Sequence, residues 1–165
     1  GSAVLCCVEG SRPLLVEVQA IVSTSSSGNA RRMASGLDQN RLSLLLAVLE
    51  MRAGLNLVAE DVFVNVAGGL SVDEPAADLA IIAAVASSVR NRPIQASTAV
   101  FGEVGLGGEI RGTSQSSLRV REAAQMGFTR CVAAEGNVSP AEVPPGCDLV
   151  GVKTVSEALD QLIDW

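Results

Sequence analysis

The side chains best equipped for chemistry in this chain are arginines and serines, and their surroundings limit what each can do. Arg31 and Arg32 are adjacent in a run of small polar residues, 23–36, and Arg41 follows a short way on. A planar guanidinium offers paired donors that match phosphate and carboxylate oxygens, so a loop presenting two adjacent arginines suits an anion. The same composition also suits a flexible, solvated loop. Ser25, Ser26, Ser27, Ser114, Ser116 and Ser117 carry hydroxyls, but a serine becomes a nucleophile only beside a base. The chain contains no histidine, and its one lysine, Lys153, falls in the turn before the last helix and reads as a solvated surface residue. His-based triads, His metal sites and His general bases are therefore excluded. Gly102-Glu103-Val104-Gly105-Leu106-Gly107-Gly108 has the glycine density of a phosphate loop. It lacks the Gly-Lys-Ser/Thr ending and a following helix, so it reads as a tight hairpin. No carboxylate spacing picks out an acid–base pair, and the residues alone show no catalytic site.

Cys6, Cys7, Cys131 and Cys147 form no C-x-x-C pair, and without histidine the zinc patterns fail, so no metal is expected. All four read as reduced, mostly buried thiols of a cytosolic protein. The net charge of −6 counts against strong nucleic-acid binding by the chain's surface as a whole. Eleven of the twelve cationic side chains are nonetheless arginine, which leaves room for a local phosphate-binding patch. Aromatic residues are 2% of the chain and tyrosine is absent, so an aromatic stacking platform for single strands is not expected. The core must instead come from the Leu, Val, Ile and Ala that dominate a 48% hydrophobic composition. A length of 165 residues fits a single domain. The longest uncharged apolar run, 79–89, falls short of the roughly 18 residues of a membrane span. No secretory signal is visible, and the chain opens without methionine directly into a strand pattern, as an excised piece of something longer would.

The elements that must carry these residues follow from periodicity and punctuation. Residues 3–8 and 13–23 read as two strands around a Glu9-Gly10-Ser11 turn, and in the second Leu14, Val16, Val18, Ala20 and Val22 share one face. Residues 23–36 read as loop. Asp38 caps a helix reaching about Ala53, with Gly54 as its stop and Leu42, Leu45, Leu46 and Leu49 as its buried stripe. A strand over 61–67 ends at Gly68-Gly69. Asp73 is the expected cap of a second helix that has Pro75 in its first turn and runs to about Arg90. That helix is apolar nearly all round, so it belongs at the centre of the fold. Residues 99–104 and 109–111 read as strands joined by the glycine turn, and 117–126 as a helix ended by Gly127. Residues 130–134 and 148–152 read as strands around a Pro/Gly-rich loop. Thr154-Val155-Ser156-Glu157 is a capping box for the terminal helix. Strands and helices alternating after an opening hairpin predict a mixed α/β or α+β layer fold.

Three stretches carry a family resemblance. They are Gly28-Asn29-Ala30-Arg31-Arg32-Met33-Ala34-Ser35-Gly36-Leu37-Asp38-Gln39-Asn40-Arg41, then Asn65-Val66-Ala67-Gly68-Gly69 with Asp73-Glu74-Pro75-Ala76-Ala77-Asp78-Leu79-Ala80, and Gly102 to Arg111. With the entry Glu9-Gly10-Ser11-Arg12-Pro13-Leu14-Leu15-Val16-Glu17-Val18-Gln19-Ala20, they resemble the C-terminal domain of the RadA (Sms) family of bacterial DNA-repair proteins over essentially the whole chain. The resemblance implies a single domain, 1–165, with the fold of the Lon protease proteolytic domain, of the ribosomal protein S5 domain 2-like class. It implies a parent protein that carries a zinc finger and a RecA-like ATPase ahead of this domain, processes recombination intermediates and drives branch migration. Zinc, ATP and magnesium would then belong to those preceding domains and no cofactor to this one.

Lon places its nucleophilic serine in Asp-Gly-Pro-Ser-Ala-Gly, whereas the matching stretch here is Asp73-Glu74-Pro75-Ala76-Ala77-Asp78. Aligned on Gly127-Phe128, the position of Lon's catalytic lysine holds Ser117. With Ala76 and Ser117 at the dyad positions, the resemblance implies a domain that is not an enzyme. It further implies a homo-oligomer, a hexameric ring, that engages DNA in the cytoplasm with no membrane partner. Arg31, Arg32 and Arg41 are the expected DNA-phosphate patch, with Arg119 and Arg121 a second candidate; the competing reading has them in ion pairs with a neighbouring subunit or with Asp38. The alternatives to this assignment are a Lon-type serine peptidase and the Lon-like domain of another branch-migration or chelatase-type ATPase.

Overall fold

A computed structural model describes residues 1–163. The opening hairpin forms as the alternation requires. β1 (Ser2–Glu9) and β2 (Arg12–Thr24) pair antiparallel in the register Leu5↔Val16. β2 then pairs antiparallel with β4 (Glu60–Val66), and β1 pairs parallel with β5 (Thr98–Val100). β5 continues in parallel to β8 (Arg130–Ala134), and β8 to β9 (Asp148–Val152). The outermost strand on the other side is β3 (Arg32–Ser35), parallel to β4. The result is one seven-stranded sheet in the order β3-β4-β2-β1-β5-β8-β9, beside a two-stranded ribbon of β6 (Glu103–Val104) and β7 (Ile110–Arg111). This is the mixed α/β layer fold that the alternation of elements predicts.

Helices cover the two faces unequally. Adjacent residues on a strand point to opposite faces, so β1 separates Leu5 from Cys6. On the Leu5 side lie α1 (Gln39–Ala53), α2 (Asp78–Arg90) and α4 (Val155–Leu162). α2 is the central element: Leu79 through Ala86 are all buried, as its apolar circumference dictates. On the Cys6 side lies α3 (Ser116–Gln125), whose Arg119 carbonyl accepts the Cys6 thiol at 3.0 Å. α3 covers the sheet near β1, β2 and β8 but leaves β3, β4 and the far half of β2 bare. Val62, Val64 and Val66 are buried under the helices, while Asn65, Met33 and Ile21 on the other face are exposed.

Three expectations from the sequence are corrected. Residues 23–36 are not all loop, because Arg32–Ser35 forms β3 against β4. Its far edge is closed by the Gln39 carboxamide, which accepts the Ala34 N–H and donates to the Arg32 carbonyl. Asp73 does not cap the second helix. That helix is entered through a 3-10 turn, Pro75–Ala77, and no side chain caps either element. Residues 99–104 are not one strand, because the chain leaves the sheet at Phe101 and Gly102. The Gly102 N–H donates to the Ala76 carbonyl and its own carbonyl accepts the Leu79 N–H, which pins this segment to the start of α2.

Local signals elsewhere hold. Asp38 caps α1 by accepting the Asn40 N–H at 3.3 Å, and Gly54 ends it in the left-handed region at φ 71°. Thr154 caps α4 through the Glu157 N–H, with the Glu157 carboxylate reaching back to the Lys153 N–H. Gly36 sits at φ 85° with the Leu70 carbonyl 2.5 Å from where a Cβ would stand, so only glycine fits that turn without displacing its neighbour. Among the described residues no helix is long and apolar enough to cross a membrane.

Candidate functional site

The two dyad positions singled out by the resemblance sit on either side of a buried ion pair. Ala76 lies in the 3-10 turn ahead of α2 and is 2% exposed. Ser117 lies in the first turn of α3, and its hydroxyl donates to the Glu142 carboxylate at 2.6 Å. Two residues from each, Glu74 and Arg119 form a salt bridge that ties the two segments together. Arg119 is 3% exposed, and its guanidinium makes several contacts inside the protein. Nε donates to the Ser114 carbonyl and Nη1 to the Cys6 carbonyl, both at 3.0 Å, and the cation stands 5.6 Å from the Phe101 ring centre. The second Glu74 oxygen accepts the Val8 N–H at 3.0 Å. Neither histidine nor lysine serves a dyad position: the chain has no histidine, and Lys153, 71% exposed at its side chain, pairs with Glu135 at 3.3 Å, so the base at Ser117 is the Glu142 carboxylate. Lys153 is the surface residue that its turn position suggested.

The arginine candidates separate in space. Arg31 and Arg32 enter and begin β3, so they point to opposite faces of the sheet. Arg31 lies on the bare face, its guanidinium 5.6 Å from the Phe63 ring centre and 3.6 Å from Asp61, with 65% of its side chain exposed. Arg32 turns under the helices, donating to the Leu57 carbonyl at 2.9 Å and standing 4.0 Å from Glu50 on α1. Arg41 reaches from α1 to α2 and grips Asp78 with two donors while a third contact meets the Val104 carbonyl. Asp78, 1% exposed, also accepts the Val104 N–H at 3.0 Å. The hydrogen bonds that Arg41 donates to the Asp78 carboxylate raise its pKa above the ordinary arginine value, so its charge is fixed. The expectation that Arg31, Arg32 and Arg41 face one phosphate track is thus corrected, because strand alternation and the Asp78 pair send them to different surfaces. Their ionic partners are Asp61, Glu50 and Asp78, not Asp38. Arg121 projects from α3 into solvent. Of the five candidates, Arg31 and Arg121 keep exposed guanidiniums, and both lie on the α3 side of the sheet.

Sequence reasoning missed Asp78 and Glu74 as partners. Each is buried or half-buried against an arginine more than thirty positions away. The available signal was an acidic residue at the start of an otherwise apolar helix, a position that needs a cation or amide donors to be tolerated.

The four cysteines are buried and free, as expected. Burial pushes the Cys6 thiol up to about 12 and the Cys7 thiol up to about 11, so both stay protonated at neutral pH. Cys131 and Cys147 stand 3.9 Å apart, sulfur to sulfur, and burial raises both. Among the described residues no cluster of three or more His, Cys, Asp or Glu side chains is placed to hold a metal ion.

No family model matches the chain. Curated relatives do. The chain is 50% identical over 164 residues, 99% of its length, to the DNA repair protein RadA of Escherichia coli strain K12, of which the match covers 35%. The same protein of Pseudomonas aeruginosa is 50% identical over 164 residues, 36% of its length. That of Bacillus subtilis strain 168 is 49% identical over 159 residues, 35% of its length. The chain therefore spans about a third of the length of the curated relatives it matches.

Proposed function

The chain corresponds over nearly its whole length to the C-terminal part of the RadA family of DNA repair proteins, and on that premise we propose that it is a non-catalytic, assembling and DNA-engaging domain of a DNA-repair ATPase. The observation that carries this reading is half identity across 99% of the chain to proteins named for DNA repair. The parent protein would process recombination intermediates by branch migration in the cytoplasm, with ATP, magnesium and zinc held by its preceding domains. This domain would assemble as a ring. A ring contact is a head-to-tail interface that closes on itself, and it needs no residue of the degenerate dyad.

The dyad region supports the non-catalytic part of the reading. Peptide hydrolysis through serine needs a hydroxyl and a base within hydrogen-bond reach. Ala76 has no hydroxyl, so the serine of the dyad is missing, and Ser117, in the lysine's place, donates a hydrogen bond from its hydroxyl to the Glu142 carboxylate of the 135–147 loop. The Glu74–Arg119 pair bridges the two segments, and Arg119 also donates to the Ser114 and Cys6 carbonyls. That arrangement holds two parts of the fold together.

DNA contact falls to Arg31 and Arg121, whose cations face solvent on the same side of the sheet. Such contacts meet phosphate and carry no base information. The test is duplex binding by the full-length protein carrying Arg31→Ala/Arg121→Ala, measured across salt concentrations. Affinity should fall for every sequence alike, and the slope of log affinity against log salt should flatten by about 2 if each arginine neutralises one phosphate. Light scattering should show the assembly unchanged. An unaltered slope would remove these residues from the DNA path, and loss of assembly with an intact fold would make them interface residues.

A further inference from the structure

We propose that Cys131 and Cys147 are a dithiol that a peroxide oxidises to a disulfide, closing the 135–147 loop onto β8. Their sulfurs already touch, 3.9 Å apart inside the protein.

The two thiols meet from neighbouring strands. Cys131 lies in β8 opposite Leu149 of β9, and Cys147 stands one residue ahead of β9. The register through Ala99 and Val4 puts Cys131 on the α3 side of the sheet. Cys6 and Cys7 do not pair with each other in this way. They point to opposite faces of β1, and the Cys6 thiol donates to the Arg119 carbonyl.

A disulfide holds its sulfurs about 2 Å apart, so the thiols must close by about 2 Å. Cys147 is the partner free to move. It ends the turn Pro144-Pro145-Gly146-Cys147, in which Gly146 takes φ 83° and the Cys147 N–H meets the Pro144 carbonyl at 3.3 Å. Pro145 and Gly146 are exposed. β9 is tied to the sheet only from Asp148 on, where the N–H donates to the Thr129 carbonyl at 2.8 Å. The turn can therefore shift, or open to admit a small oxidant, while the β8–β9 ladder stays paired. Burial raises both thiols above the ordinary cysteine value, which keeps the closed pair reduced until the turn opens.

The oxidant is a peroxide. With the turn open, the Cys147 thiol loses its proton and its sulfur attacks one peroxide oxygen. An S–O bond forms, the O–O bond breaks, and the departing hydroxide takes up that proton as water. The Cys131 thiol then loses its proton, and its sulfur attacks the sulfenic sulfur of Cys147. The S–S bond forms, the S–O bond breaks, and a second hydroxide leaves and becomes water. Two thiols give up two electrons and two protons, and one molecule of hydrogen peroxide becomes two of water.

The covalent ring so formed contains both residues by which the loop holds the approach to α3. Asn137 accepts the Thr113 N–H at 3.0 Å, and its carbonyl accepts the Ser116 hydroxyl at 2.8 Å. Glu142 accepts the Ser117 hydroxyl. Oxidation thus secures to β8 the loop on which the first turn of α3 rests.

A single tryptic peptide, 131–153, carries both cysteines, because no lysine or arginine lies between Arg130 and Lys153. The experiment treats the folded full-length protein with hydrogen peroxide, then denatures, alkylates and digests it for mass spectrometry. Oxidation of Met51 and Met126, 79% and 61% exposed, measures the dose. At doses that oxidise both methionines, the 131–153 peptide should appear two hydrogens lighter and unalkylated, and dithiothreitol should reverse this. Cys131→Ser should leave Cys147 as a sulfenic acid that dimedone captures. In the oxidised protein, amide hydrogen exchange over 135–147 should slow. Both thiols still open to alkylation at that dose would overturn the proposal. So would oxidation that passes to sulfinic acid without a disulfide, or a disulfide that forms only in urea. A disulfide that leaves exchange in the loop unchanged would overturn its closing of the loop.

Discussion

Arg119 and Glu74 show how much of this molecule depends on a few paired charges. Taking two charges out of water is costly, and the cost is offset only when each finds several partners. Arg119 has the Glu74 carboxylate, two carbonyls and an aromatic face; Glu74 has the guanidinium and a strand amide. Removing one partner leaves the other stranded. Arg119→Met should therefore lower unfolding stability by about 3 kcal/mol, at the low end for a broken buried pair because Glu74 is 20% exposed. Arg119→Met/Glu74→Gln should recover part of that loss, since no unpaired charge remains. Urea denaturation of the two variants decides it: a single variant as stable as the parent, or a double variant no more stable than the single one, would show that the pair does not tie α3 to the entry of α2.

At the level of elements, the edge of β3 is the weak place in the sheet. An edge strand exposes unpaired amides and carbonyls that can recruit another chain. Here one side chain, Gln39 in the first turn of α1, serves both the Ala34 amide and the Arg32 carbonyl. The carboxamide supplies the donor and acceptor that a further strand would supply. Gln39→Ala should cost about 1 kcal/mol, the net worth of a typical hydrogen bond, since water replaces only part of what is lost. It should also make the chain aggregate faster on heating. Gln39→Lys should lose the same stability without the aggregation, because a lysine beside an open edge discourages pairing. Thermal unfolding followed by turbidity separates the two effects, and equal aggregation by both variants would sink the edge argument.

Over the whole molecule, the buried thiols set the alkaline limit. Cys6 and Cys7 have folded pKa values of about 12 and about 11 against 9.0 when free, the shift coming from burial. The folded state thus holds its protons where the unfolded state has lost them. Stability is unaffected below pH 9 and falls as pH rises from 9 toward 11 and 12, by up to about 1.4 kcal/mol per pH unit for each thiol in its window. Cys6→Ala/Cys7→Ala should flatten that decline while leaving the neutral-pH midpoint lower, through lost packing. Urea midpoints between pH 8 and 11 test this, and an equally steep decline in the variant would assign it to other groups.

What the residues determined by themselves is what lies within a few positions along the chain. The Asp38 and Thr154 caps, the left-handed stop at Gly54, the β1–β2 hairpin and the buried, apolar α2 all follow from neighbours in sequence, because each is closed by hydrogen bonds or periodicity spanning one or two turns. Folding alone decided the rest. β3 is four residues long and exists only because β4, some thirty positions later, offers it a parallel edge. The residue types of Arg31 and Arg32 say nothing of the alternation that parts them, since that depends on whether the stretch is a strand. Asp73 has the chemistry of a cap, but the 3-10 turn at Pro75 takes its place, and Asp78 answers Arg41 instead of water. In each case the deciding contact joins residues far apart in the chain, and its free energy is gained only once the sheet and helices have brought them together.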